Sequence, residues 1–187
     1  FFGEEADEVG RLLARSSVGP LPVLSLVHAG TYELAVHALD LAPCGAPSPS
    51  PQLLDRGLAS LIEVTGALSV RAGVDIALTA MTSTGGWRFI SSGEGWTTER
   101  AAAGSFDGAG VRGTASDLLD ASAGRAGLPQ LLLARRLHVQ QLPQWMRLAP
   151  LLDDVPGLPG GAALRAGVGG LSAVVGGVGK VLGRFRR

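Results

Sequence analysis

Residues 74–100, VDIALTAMTSTGGWRFISSGEGWTTER, decide the fold. Val74, Ile76 and Leu78 alternate with Asp75, Ala77 and Thr79, the two-residue period of a strand. Residues 85–90 read as a second strand, Ser92-Gly93-Glu94-Gly95 as turn chemistry, and residues 96–100 as a third strand. Three strands joined by short turns predict an antiparallel sheet. Trp87 and Trp96, on adjacent strands, fit core or cross-strand packing better than a binding platform.

Upstream of this sheet a helix is expected. Ser50-Pro51 reads as an N-cap followed by proline at the first helical position. A helix from there to about Val70 would bury Leu54, Leu58, Leu61, Ile62 and Thr65. Before it stand Pro43, Pro47, Pro49 and Pro51, too many prolines for helix or sheet interior, so residues 43–51 form a semi-rigid linker. Residues 23–42 are an apolar segment. On it Leu34, Ala38 and Leu41 form one stripe, and Glu33, His37 and Asp40 form a parallel polar stripe. A first helix is expected over residues 4–15, with acids at its front and Gly19-Pro20 and Pro22 breaking the chain after it.

Downstream, a short strand near residues 110–112 leads to Thr114-Ala115-Ser116-Asp117, where Thr114 or Ser116 caps a helix. Residues 135–139 predict a last strand and 142–152 a last helix. The fold class expected is therefore α+β, a helical N-terminal segment followed by a small antiparallel-sheet domain with packed helices. The divisions are 1–42, the linker 43–51, a domain over 52–155 and a tail over 156–187.

The formal charge is zero, which excludes a nucleic-acid binder held by a field covering the whole surface. The 15 arginines against one lysine reflect a GC-rich coding bias. Cys44 is the only cysteine, so no intramolecular disulfide forms. No apolar run reaches the roughly 20 residues that span a bilayer, and the first residues do not read as a signal peptide.

Glu33 and His37 stand one helical turn apart, about 40° around the axis, so both can reach one ion. Carboxylate and imidazole suit a borderline divalent cation such as zinc. The same spacing is common on solvated helix faces, and by itself it favours that plainer reading. His28, half a turn away, reads as a packed or partly exposed residue, and His138 as a strand residue. GVGGLSAVVGGVGK, residues 167–180, fails as a phosphate loop because Val181 follows Lys180.

Five segments together carry a resemblance. YELAVHALDLA (32–42), the proline-rich joint, and GGWRFI, GEGWTTER and VRGTASDLLDASAGR resemble the mycothiol-dependent maleylpyruvate isomerase family across about residues 18–150. The resemblance implies the end of a DinB-like metal-binding bundle followed by a domain related to sterol carrier protein 2 (SCP2-like). It implies Glu33 and His37 as metal ligands, with Asp40-Leu41 continuing the match. It also implies a divalent metal, zinc by its donors, with mycothiol as thiol cosubstrate and a small-molecule substrate in the cytoplasm. In that chemistry the metal lowers the pKa of the bound thiol.

The second motif is matched by Gly113, Ala115, Ser116, Asp117, Leu118, Leu119, Gly124 and Arg125. The resemblance implies Arg125 as the anion clamp of the catalytic site; the plainer reading of an arginine at a helix end is a cap on its last carbonyls. The implied third ligand is a histidine on an earlier bundle helix. Only 36 residues precede His37, fewer than such a bundle needs, so two of three ligands are expected here. The rival reading is a non-catalytic relative whose α+β domain binds an apolar ligand or a partner. Oligomer formation fits either reading.

From Gly157 onward the chain holds 10 glycines in 31 residues, and after Asp154 it carries five basic residues and no acid. Interior glycines cost a helix about 1 kcal/mol each relative to alanine, so no stable isolated helix is expected there. The charge suits weak attachment to anionic lipid, on the order of 1 kcal/mol per basic residue near the surface. In liposome flotation the full chain should associate with anionic vesicles more than a chain ending at Pro156; equal behaviour of the two would end that idea.

Overall fold

The protein is described here by a computed structural model covering residues 4–104, 106–148 and 151. Its elements run α1 (Glu4–Arg11), β1 (Leu13–Ala14), β2 (Leu21–Pro22), α2 (Val23–Leu41), a 3-10 turn Ala42–Cys44, and α3 (Pro51–Arg71). Then come β3 (Ile76–Thr82), β4 (Gly85–Ser92), β5 (Gly95–Ala101), β6 (Ala109–Arg112), α4 (Ala115–Ser122) and α5 (Leu128–Leu133). They are followed by β7 (His138–Gln140), α6 (Leu142–Trp145) and a 3-10 turn Met146–Leu148. The class is mixed α+β, with a helical N-terminal part. No helix among the described residues is long and apolar enough to cross a membrane.

Ser50 starts α3 as its sequence suggests: the hydroxyl accepts the Leu53 backbone N–H at 3.2 Å, and Pro51 occupies the first turn. The three-stranded meander also forms where expected. The sheet as a whole is not antiparallel, however. Its order is β5-β4-β3-β6-β7, and β6 pairs with β3 in parallel. The cause is topological. After the meander β4 fills one side of β3, and β5 has the same direction as β3. Residues 102–104 and 106–108 therefore return along the sheet before β6 can pair on the free side of β3. Phe106 fastens this return: a Cβ at Gly110 would lie 2.1 Å from its ring, so glycine leaves room for it. Arg112 stacks on the same ring at 5.7 Å and donates to the Gly104 carbonyl.

Register puts Ile76, Leu78 and Ala80 on one sheet face with Ser91, Phe89 and Trp87, and next to these Trp96, Thr98 and Arg100. Helix α3 covers this face, with Leu58, Ile62 and Leu68 buried against Leu78 and Phe89. Two of its carboxylates clamp the sheet. Asp55 accepts from Trp87 Nε1 at 3.2 Å and from Arg100 at 2.6 Å, and Glu63 accepts from Trp96 Nε1 at 2.9 Å and Thr98 Oγ1 at 2.5 Å. The two tryptophans thus pack in the α3 layer, each with its N–H satisfied.

The expected α3 core is partly corrected. Leu54, Leu61 and Thr65 are only half-buried, whereas Gly57, Ser60, Gly66, Ala67, Leu68 and Ser69 are buried beside Leu58 and Ile62. The reason is that α3 is packed on two sides, by the sheet and by α2, so small residues let both approach. A Cβ at Gly57 would stand 2.4 Å from the Ala35 Cβ, and one at Gly66 would stand 2.6 Å from Trp96 Cδ1.

Three boundaries also differ from expectation. The first helix ends at Arg11, because Leu13 and Ala14 pair with Pro22 and Leu21 in a short antiparallel ladder. The 43–51 linker opens with a 3-10 turn, and among the described residues the helix expected over 142–152 is a single turn, α6, then a 3-10 turn, with Leu151 helical again. Helix α5 was not expected, and the tail from Gly157 lies outside the described residues.

A Gly57→Val substitution should destabilise the protein by about 1–3 kcal/mol through overpacking against Ala35. Adding Ala35→Gly should recover part of the loss, measured by thermal or urea unfolding. Full additivity of the two would contradict this contact.

Candidate functional site

The site is assembled by the ends of α4. At its start Gly113 passes close to Arg136 and Leu137, where a Cβ would lie 3.0 Å from the Arg136 carbonyl oxygen. Thr114 then caps the helix, its hydroxyl accepting the Asp117 N–H at 3.1 Å. Asp117 is buried and paired with Arg136. At the other end Gly124 adopts φ 71°, its N–H bonding to Ala121 O at 3.2 Å while the Arg125 N–H bonds to Asp120 O at 2.9 Å. These are the two bonds of a Schellman motif, which glycine permits because its φ is positive. The turn throws the Arg125 side chain back onto α2.

Helix α2 is held there by Ala35 and Val36 against Leu119, and by Tyr32, whose hydroxyl lies 3.0 Å from Ser122 Oγ. Ser122 donates to Leu119 O at 2.8 Å, so the phenol is the donor in the first bond. Burial pushes the Tyr32 phenol up, and burial likewise raises the Asp120 carboxyl nearby.

Glu33 and His37 share α2, and their side chains lie on one side of it, with Glu33 Oε2 3.5 Å from His37 Nε2. Asp40 Oδ2 lies 3.0 Å from the other ring nitrogen, Nδ1. Arg125 grips Asp40 with both prongs, Nε to Oδ1 at 2.5 Å and Nη2 to Oδ2 at 2.6 Å. Nη2 also lies 3.4 Å from His37 Nδ1. Asp40 is the nearer acceptor, so Nδ1–H is donated to Asp40, and Nε2 lies on the Glu33 side. A carboxylate behind a histidine in this way fixes ring orientation and tautomer.

The Arg125 hydrogen bonds hold the Asp40 carboxyl down at about 2, with His37 adding to the effect, and Asp40 in turn raises the Arg125 guanidinium. Sequence reasoning set Asp40 beside the pair but did not join it to Arg125; nor did it single out Tyr32 or Ser122. The only sequence signal for this contact is that both residues belong to the motifs quoted above.

Other expectations are revised. As metal ligands Glu33 and His37 would share a helix and point into a cleft; they share the helix, but their side chains face solvent, 60% and 64% exposed. The packed side of α2 is the one carrying Ala35, Val36, Tyr32 and Leu39. Arg125 does not present a free fork to a substrate anion, because the Nε/Nη2 edge is engaged by Asp40. His28 faces α3, with Nδ1 3.3 Å from Ser60 Oγ, as the packed reading expected, and His138 lies exposed in β7. Cys44 is exposed within the linker.

A tetrahedral ion about 2.0–2.2 Å from an imidazole nitrogen and a carboxylate oxygen holds those atoms roughly 3.4 Å apart, close to the separation of this pair. Two donors therefore fit. Asp40 sits on the opposite ring nitrogen, and among the described residues no three His, Cys, Asp or Glu form a group that could hold a metal. The donor set does not fit a three-ligand catalytic centre. In comparisons with known proteins, no family matches the chain and no curated protein matches it.

Asp40 has a depressed pKa, so its pairing stabilises the folded state above the ordinary value of 3.8, and that contribution is lost as pH falls toward about 2. Carboxyl NMR should give an Asp40 midpoint near 2, and Arg125→Ala should return it toward 3.8. An unmoved midpoint in that variant would contradict the arrangement.

Proposed function

We propose that the chain is a divalent-metal-binding, mycothiol-dependent maleylpyruvate isomerase-like protein. Glu33 and His37 are two of its metal ligands, and a further donor comes from outside the described residues. One observation carries the reading. The two motifs behind the resemblance, 85 residues apart at Asp40 and Arg125, meet in a bidentate ion pair directly behind the ring of His37. A solvated Glu/His pair needs no such backing. A metal-ligating histidine regularly has one.

This chain's residues hold and orient rather than react. Arg125 keeps Asp40 ionised, Asp40 fixes the His37 ring, and Glu33 supplies charge beside Nε2. A bound divalent ion would supply acidity to a coordinated thiol. The α+β part, with its helix, meander, crossover strand and helices, supports the sterol-carrier-like half of the reading.

Zinc titration by calorimetry should show weak binding in the full chain. His37→Ala should weaken it by at least about 10–100-fold, since loss of an outer-shell partner alone has that effect. Unchanged affinity in the variant would remove the pair from the reading. Supplied with mycothiol, zinc and maleylpyruvate, the chain alone should show little or no turnover, because a catalytic zinc uses three protein ligands. Robust turnover would place the third ligand within residues 1–187.

A further inference from the structure

Helix α2 turns two arcs to solvent. One carries Glu33, His37 and Asp40. The other carries Leu24, Val27, Thr31, Leu34, Ala38 and Leu41, at alternating spacings of three and four, the period of a helix–helix seam. Leu24, Val27, Leu34 and Leu41 are each at least half exposed, so neither α3 nor α4 uses this face. Val9, Leu12 and Leu13, also exposed, extend it beside Leu24, where a Cβ at Gly10 would touch the Leu24 side chain at 3.4 Å.

We propose that this face pairs with a second copy of the chain, α2 against α2 and antiparallel. The inference does not depend on the metal reading. Its first support is area. A buried aliphatic side chain covers about 60–120 Å² of apolar surface. Seven such residues, each half exposed or more, therefore offer a few hundred Å² per copy, the size of the largest apolar patches on a monomer, which often mark interaction sites. With a polar rim a pair reaches about 1,000 Å² in total, the lower bound for a specific interface.

The second support is charge. The seam positions and their flanks Gly30, His28, Ala35 and Ala42 include no Asp, Glu, Lys or Arg, as the core of an interface requires. The third is self-complementarity. In an antiparallel pairing centred between Tyr32 and Glu33, Leu24 meets Leu41 of the second copy, Val27 meets Ala38, and Thr31 meets Leu34. Each inner contact sets a larger apolar residue against a smaller one, which suits interdigitation. His37 then faces Gly30 of the second copy, so the donor pairs stay at the open rim.

Sedimentation of the full chain tests the pairing. A concentration-dependent dimer is expected, and Leu34→Glu should raise its dissociation constant at least about 10-fold with the circular dichroism unchanged. Orientation is tested by cross-linking in a Cys44→Ser background. In the antiparallel dimer the two copies of residue 24 stand about 25 Å apart along the helices, as do the two copies of residue 41. Leu24→Cys and Leu41→Cys variants should each stay uncross-linked alone and form a disulfide only when mixed. A monomer at all concentrations, a dimer indifferent to Leu34→Glu, or self-cross-linking of either variant would overturn the proposal.

Discussion

The architecture depends on how narrow α3 is at two opposite points. Gly57 and Gly66 lie half a turn apart around the helix, one against Ala35 of α2 and the other against Trp96 of β5. Each lets a neighbour come closer than a Cβ would permit. The sheet side is then fixed by charge-assisted bonds, since Asp55 and Glu63 each take two donors from the sheet. Those bonds have direction where apolar packing has none, so they set the angle of the helix across the strands.

The same constraint reaches the candidate site. The Gly57–Ala35 contact sets how deeply α2 lies on α3, and that depth lets Ala35 and Val36 meet Leu119 of α4. With α2 and α4 in contact, Tyr32 reaches Ser122 and Asp40 reaches Arg125. A glycine in a helix that contributes no site residue therefore governs whether the His37 ring has a carboxylate behind it.

What could be read from the sequence was local. Ser50-Pro51 specifies a helix start through a cap and a fixed φ, and Gly93-Glu94-Gly95 specifies a turn; neither needs a distant partner. The parallel β3–β6 pairing was not readable, because it is decided by which side of β3 remains free after the meander. The packed face of α2 was not readable either. Leu34, Ala38 and Leu41 make one apolar face, and Tyr32, Ala35, Val36 and Leu39 make another. Periodicity does not choose between them. Small partners do: the face with Ala35 fits the notch at Gly57, and the larger leucines are left outside. The Glu33–His37 spacing was readable, and the solvated face that this spacing favours by itself is the one observed.

Most of the second motif has a local structural duty. Gly113 makes room, Thr114 caps, Asp117 anchors Arg136, and Gly124 ends the helix. Arg125 differs because its bonds cross to α2, 85 residues away. Two ion-pair partners this exposed add little to folding stability, since water and salt screen them. Their effect lies in orientation, and orientation of His37 has value only toward something at Nε2. The exposure of Nε2 in turn limits how tightly an ion binds there, because water competes and the dielectric is high. Covering the adjacent apolar arc of α2 would exclude water from one flank of the pair and strengthen its hold on a cation. The two exposed arcs of α2 are thus physically coupled, and whatever shields Leu34 and Leu41 also tunes Glu33 and His37.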